Sequence, residues 1–199
     1  MKRIIVIGSR NVNKLREIRQ ILAGLPVELR TLRDYPDAPE VEETGGTFEE
    51  NAIKKATELA DVFGEWVMAD DSGLEVEALG GRPGVLSARY AGPDQNDARN
   101  MAKLLAEMKS VPENQRAARF RCVIALAALG KLLFTAQGEC SGRLAFEPRG
   151  RNGFGYDPIF LYPEFGKTFA ELDASVKNQV SHRARALQEF RRKLESYLA

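Results

Sequence analysis

The segment RIIVIG, residues 3–8, does most to limit what this chain can fold into. It is a short apolar run rich in β-branched residues and closed by Gly8, which predicts a buried strand. After a polar loop, Leu15, Ile18, Ile21, Leu22 and Leu25 recur at helical spacing, and VELRTL (27–32) then alternates as a strand does. Strand, loop, helix, strand is consistent with a βαβ unit, the building block of a parallel sheet.

The rest of the chain keeps interleaving the two kinds of element. Residues 34–46 read as a loop, with Pro36, Pro39, Gly45 and Gly46. Thr47 followed by Glu50 is a capping box, so a helix starts there, with Phe48, Ala52, Ala56, Leu59, Ala60 and Phe63 on one face and Gly64 as its stop. WVMAD (66–70) predicts a strand ending at paired acids, and Met101, Leu104, Leu105 and Met108 predict a further helix. RFRCVIALAAL and KLLFTAQGEC flank Gly130 as the two arms of a hairpin. A last helix carries Ala184, Leu187, Phe190, Leu194 and Tyr197 on one face, with Ser181 as its cap. A hairpin inside an otherwise alternating order predicts an α/β protein with a mixed sheet. No linker stands out, so residues 1–199 are expected to form a single domain, with room for two lobes and a cleft.

Composition narrows the function. With 29 basic and 28 acidic residues the net charge is +1, which provides no global field toward nucleic acid or a membrane surface. No apolar run approaches the ~18 residues of a membrane helix, and the apolar core at the start is too short for a signal peptide. Cys122 and Cys140 form no metal-type spacing and read as buried thiols of a cytoplasmic protein.

Four stretches could carry chemistry. In GSRNVNKLRE (8–17) a strand runs through a polar loop into a helix N-terminus, where phosphates bind readily, yet neither a Walker A nor a dinucleotide pattern is present. In VMADDSGLEV (67–76), Asp70 and Asp71 fit either a turn or a metal and phosphate site. Neighbours on a strand point to opposite sides, so the two acids are expected to divide their work. GFGYDP (153–158) frees the backbone around two flat aromatic faces and fits either a tight turn or a base-stacking loop. Lys177, His182 and Arg183 form a donor-rich group with no acid nearby in sequence, suited to a ligand rich in acceptors.

Taken in order, SRNVNKLRE, EETGGTFEENAIKKA, ADDSGLEV, GGRPGVLSARYAG, FGYDPIF and SHRARAL resemble the HAM1/RdgB family of inosine triphosphate pyrophosphatases, also called dITP/XTP pyrophosphatases. The resemblance runs from residue 4 to about residue 190. It implies an elongated mixed β-sheet with flanking helices, two lobes around a nucleotide-binding cleft, and a cytoplasmic homodimer. It also implies Mg²⁺-dependent cleavage of ITP, dITP or XTP to the monophosphate and pyrophosphate.

By motif, the resemblance makes Asp71 the proton acceptor and a Mg²⁺ ligand. Glu42 or Glu43 is the second metal carboxylate, with Glu42 preferred. Ser9, Arg10, Asn11, Val12, Asn13 and Lys14 become the phosphate and sugar loop, Lys55 a lysine facing the triphosphate, and Ser72 a substrate contact. Phe154, Gly155, Tyr156, Asp157, Lys177, His182 and Arg183 become the nucleotide and base pocket. One departure is visible: relatives read Thr, a small residue and Asn where this chain reads Ser9, Arg10, Asn11. Two rival readings are a Maf-type pyrophosphatase acting on modified pyrimidines and a nucleotide sensor without catalysis.

Overall fold

A computed structural model describes residues 2–198. The described elements are β1 (Arg3–Ile7), α1 (Val12–Ile21), β2 (Val27–Thr31), α2 (Phe48–Phe63), β3 (Trp66–Val76) and α3 (Asp97–Glu107). They continue with β4 (Ala117–Ala128), β5 (Lys131–Leu144), β6 (Phe160–Tyr162), β7 (Lys167–Thr168), α4 (Ala174–Val180) and α5 (His182–Leu198). The sheet has seven strands in the order β2-β1-β3-β4-β5-β6-β7. β1 pairs in parallel with both β2 and β3, and β6 pairs antiparallel with β5 and β7. The expected mixed sheet is therefore present, and the opening βαβ unit sits at its parallel edge.

By contacts the chain divides into two compact units. The first comprises the chain up to Asp71, Cys122–Gly138 and the chain from Arg183 onward. Its core joins Ile5 and Ile7 of β1, Leu15, Ile18 and Leu22 from the α1 region, and Leu187, Phe190 and Leu194 of α5. The second comprises Ser72–Arg121 and Glu139–His182. Its core is richer in aromatics: Tyr90, Phe120, Tyr156, Phe160, Tyr162 and Phe169 pack with Leu74, Leu104 and Met108. Burying side chains of this size is the main source of stability in each, at roughly 1.5–3 kcal/mol per large apolar group.

Local signals explain the boundaries that matter. The Thr47 hydroxyl accepts the Glu50 N–H at 3.1 Å while the Glu50 carboxylate accepts the Thr47 N–H at 3.2 Å, so α2 begins where the capping box predicts. Gly64 ends it in the left-handed region. β4 and β5 are joined by Leu129 and Gly130 alone, with φ of +48° and +69°, the geometry of a two-residue hairpin turn.

β3 differs from the sequence reading. It does not end at the paired acids but continues through Ser72 and Gly73 to Val76. Asp, Ser and Gly are poor strand formers, which hid the continuation. Leu74 and Val76, both fully buried, hold the far half of the strand in the core of the second unit. Asp70 and Asp71 are thus interior strand residues, not turn residues. α4, β6 and β7 are short elements that the periodicity did not announce.

Candidate active site

In the first unit, α1, α2, β3 and α5 bring together cations (Lys14, Lys55, Arg183) and acids (Glu17, Asp70, Asp71) that lie far apart in the chain. Asn11 caps α1, its Oδ1 accepting the N–H groups of Asn13 and Lys14 at 3.0 and 3.2 Å. Ser9 Oγ accepts the Asn11 N–H at 3.2 Å, so the Ser9–Lys14 loop is wound tightly onto the helix start. Arg10 reaches sideways to the Ala38 carbonyl at 3.3 Å, and Val12 is exposed. Lys14 then extends to Asp70, with Nζ 2.8 Å from Oδ2.

Asp70 is the hub. Its Oδ2 lies 3.7 Å from Arg183 Nε, and its backbone carbonyl accepts Lys55 Nζ at 2.6 Å. Arg183 is in turn paired with Glu17 at 3.0 Å. Burial works against the charge on Asp70, but Lys14, Arg183 and Lys55 outweigh it and hold this carboxyl well below the usual range. Arg183 is likewise held fully charged: burial opposes its charge, and Asp70 and Glu17 overcome that.

Asp71 has the opposite environment. Burial, reinforced by the negative charge of Glu43, pushes its carboxyl up from 3.8 to about 6, although Lys55 and the Asn51 amide pull the other way. Its Oδ2 accepts the Asn51 Nδ2–H at 2.9 Å. Lys55 Nζ also donates to Glu43 Oε1 at 2.5 Å. Adjacent carboxylates with acidities driven apart are the arrangement from which acid and base roles are read.

Of the two candidate acids, Glu43 faces Lys55 and acts on Asp71, whereas the Glu42 side chain is exposed. The cause is Lys54, which donates to the Glu42 carbonyl at 2.8 Å and to Thr44 Oγ1 at 3.0 Å. Holding the Glu42 carbonyl and the Thr44 hydroxyl, on either side of residue 43, fixes which carboxylate turns inward.

In the second unit the glycine-rich loop is held by its own chain. Asp157 Oδ2 accepts the Phe154 N–H at 2.8 Å and Lys177 Nζ at 2.6 Å. Tyr156 is buried with its hydroxyl donating to the Ser87 carbonyl at 2.8 Å. The Gly155 N–H donates to Asp97 Oδ2, from the first turn of α3, at 2.8 Å. Gly153 must be glycine: with φ of +77°, a Cβ there would lie 2.0 Å from Asp157 Oδ2. The ring of Phe154 stays half-buried, with the Lys177 ammonium 4.7 Å from its centroid. His182 stacks on Phe120 at 4.6 Å and 12°. Ser72 is half-buried on β3.

The donor group Lys177, His182 and Arg183 was expected to lack acids. In the fold, Lys177 has Asp157, while Arg183 has Glu17 and Asp70. Those partners lie 20, 166 and 113 positions away, so local sequence could not reveal them. Glu17, Asn51, Asp97 and the inward role of Glu43 are the residues that motif reading passed over. Glu17 lies three positions after Lys14 on one face of α1, a spacing that was a usable signal.

In a mixed-sheet α/β protein, paired strand carboxylates opposed by lysines from two helices suit a phosphoanhydride substrate, whose charge the lysines can oppose. Residues 5–193 match the Ham1 family. A dITP/XTP pyrophosphatase of Geobacillus kaustophilus is 54% identical over 186 residues, covering 94% of this chain and 91% of that protein. One of Geobacter sulfurreducens is 55% identical over 183 residues, covering 92% of each. The solved HAM1 protein from Coxiella burnetii superposes with a TM-score of 0.91 at 42% identity, over 98% of this chain and 99% of that one. The chain belongs to the Ham1 family.

Proposed function

We propose that this chain is a nucleoside-triphosphate pyrophosphatase that cleaves non-canonical purine triphosphates (ITP, dITP, XTP) to the monophosphate and pyrophosphate. The observation that carries the reading is the split between Asp70 and Asp71: one acid is spent on cations, and its neighbour has an affinity for a proton set near neutrality. The activity of its relatives, dITP/XTP pyrophosphatase, agrees with it.

In this reading Asp71 accepts the proton of the water that attacks the α-phosphorus, and pyrophosphate leaves as one unit. Lys14 and Lys55 oppose the charge of the polyphosphate, the main demand in phosphoryl transfer. Asp71 and Glu43 would hold Mg²⁺. The fit rests on the chemistry of the donor set: two carboxylates close enough for Glu43 to raise the Asp71 carboxyl, with Lys55 bonded to Glu43. Mg²⁺ takes one or two carboxylates and completes its shell with water and phosphate oxygens. Bound there, it supplies positive charge against the phosphate oxygens.

The base falls to Phe154, Gly155, Tyr156, Asp157, Lys177 and His182, with Ser72 as a further substrate contact. A donor that meets a 6-oxo group finds no acceptor in the 6-amino group of adenine, a mismatch able to discriminate by ~10⁴. Family resemblance supports a cytoplasmic homodimer in which residues 1–199 act as one catalytic domain. Among the described residues no helix is long and apolar enough to cross a membrane.

The test is product analysis with Mg²⁺ and ITP, ATP, GTP or modified pyrimidine triphosphates side by side. The reading expects pyrophosphate from ITP in preference to ATP. Preference for modified pyrimidines would support the Maf-type reading, and tight binding without turnover would support the sensor.

A further inference from the structure

Asn51 is fully buried, one turn into α2, and its amide makes two bonds in opposite directions. Its Oδ1 accepts the Gly45 N–H at 2.7 Å, and its Nδ2 donates to Asp71 Oδ2 at 2.9 Å. The orientation of the amide is unambiguous. A backbone N–H can only donate, so the atom facing Gly45 is oxygen, and the nitrogen necessarily faces the carboxylate. Position 45 is shaped for this contact. A Cβ on Gly45 would lie 2.7 Å from Asn51 Oδ1 and 2.7 Å from Glu50 Cβ, so only glycine lets the loop approach.

The two bonds connect the acids of the site. Gly45 lies two residues after Glu43, on the loop that Lys54 grips at Glu42 and Thr44. The capping box sets the start of α2 and thereby the height of Asn51 along the helix. We propose that Asn51 is a positioning residue for the reaction: it orients the Asp71 carboxylate and holds the Glu43 loop at a fixed distance from it. The inference deepens the pyrophosphatase reading and rests on it.

Asn51→Asp separates the two bonds. The carboxylate still accepts from Gly45, has the same shape, and loses the donor that Asp71 requires. Asn51→Ala loses both. Gly45→Ala disturbs the amide from the loop side without touching Asn51 itself. Loss of a group that orients a metal-site carboxylate costs about 10–100-fold in activity or metal affinity. All three variants are therefore expected to lose kcat on ITP by about that factor, with KM near its wild-type value. In the nucleotide-free protein, the Mg²⁺ concentration that half-saturates the rise in melting temperature should increase by a similar factor, about 10–100.

A purely structural asparagine would predict something else: Asn51→Ala and Gly45→Ala lower in melting temperature, but each with kcat on ITP and Mg²⁺ half-saturation close to wild type. That result overturns the proposal, as does a loss confined to KM. If Asn51→Ala fails to fold, Asn51→Asp and Gly45→Ala decide the matter. Wild-type protein that releases no pyrophosphate from any purine triphosphate would sink the functional reading instead. An active wild type with an equally active Asn51→Asp sinks this inference alone.

Discussion

The ionic group of the first unit and the glycine-rich loop of the second are both polar, but they are satisfied in opposite ways. Around Asp70, charge is matched by charge: Lys14, Lys55, Arg183 and Glu17 interlock, and with Asp71 and Glu43 included the acids of this group outnumber its cations. In the loop at 150–157, backbone N–H groups are taken up by Asp157 and Asp97, and Lys177 by Asp157. A surplus of charge suits chemistry, since it favours a cation and an incoming proton. A loop held in this way suits recognition, since its shape is set before any ligand arrives and little is spent on ordering it.

The contrast can be broken by mutation, beginning with the largest effect. Asp71→Asn removes the proton acceptor and should cut kcat on ITP by about 10²–10⁴-fold while sparing affinity for a non-hydrolysable analogue. Lys55→Ala withdraws a half-buried cation from Glu43 and Asp70 and should cost about 10²-fold in kcat, measured at saturating ITP. On the recognition side, Asp97→Ala frees the Gly155 N–H. It should raise KM for ITP by about tenfold or less with kcat nearly unchanged, the size of one exposed charge-assisted hydrogen bond. A kcat effect there as large as that of Lys55→Ala would dissolve the distinction between the two regions. The smallest effect concerns Cys122, whose thiol burial pushes up to about 12 beside Asp70. It should resist thiol reagents at pH 8 in the native protein and react only in denaturant, which a timed labelling assay reads directly.

The same contrast explains what could be read in advance. Elements whose instructions are local were legible: the Thr47–Glu50 box placed the start of α2, and Leu129–Gly130 placed the hairpin. The recurrent motifs likewise pointed to Lys14, Lys55 and Asp71. What failed depends on partners remote in the chain. Glu43 and Glu42 are chemically identical, and only the grip of Lys54 and the Asn51 bridge separates them. β3 runs past Asp71 because of buried Leu74 and Val76, against the propensities of Ser72 and Gly73. The Arg183 donors were paired by Glu17 from the other end of the chain.

The central claim is that two neighbouring acids have opposite electrostatic positions, and stability measures this with no assumption about substrate. Asp71 has its pKa raised in the fold, so its ionisation weakens the protein as pH rises from about 4 through about 6. Asp71→Asn escapes that cost, can still accept the Asn51 N–H, and should gain on the order of 1–3 kcal/mol at pH 8, a gain that vanishes below about pH 4. Asp70 is the reverse: its pKa is depressed, so its contribution is present above the ordinary carboxylate range and fades as pH falls through it. Asp70→Asn leaves buried Arg183 short of a counter-charge and should lose about 3 kcal/mol at pH 8. The decisive measurement is the melting temperature of both variants at pH 8 without metal or nucleotide. The account predicts that Asp71→Asn melts above wild type and Asp70→Asn below it; shifts in the same direction would contradict it.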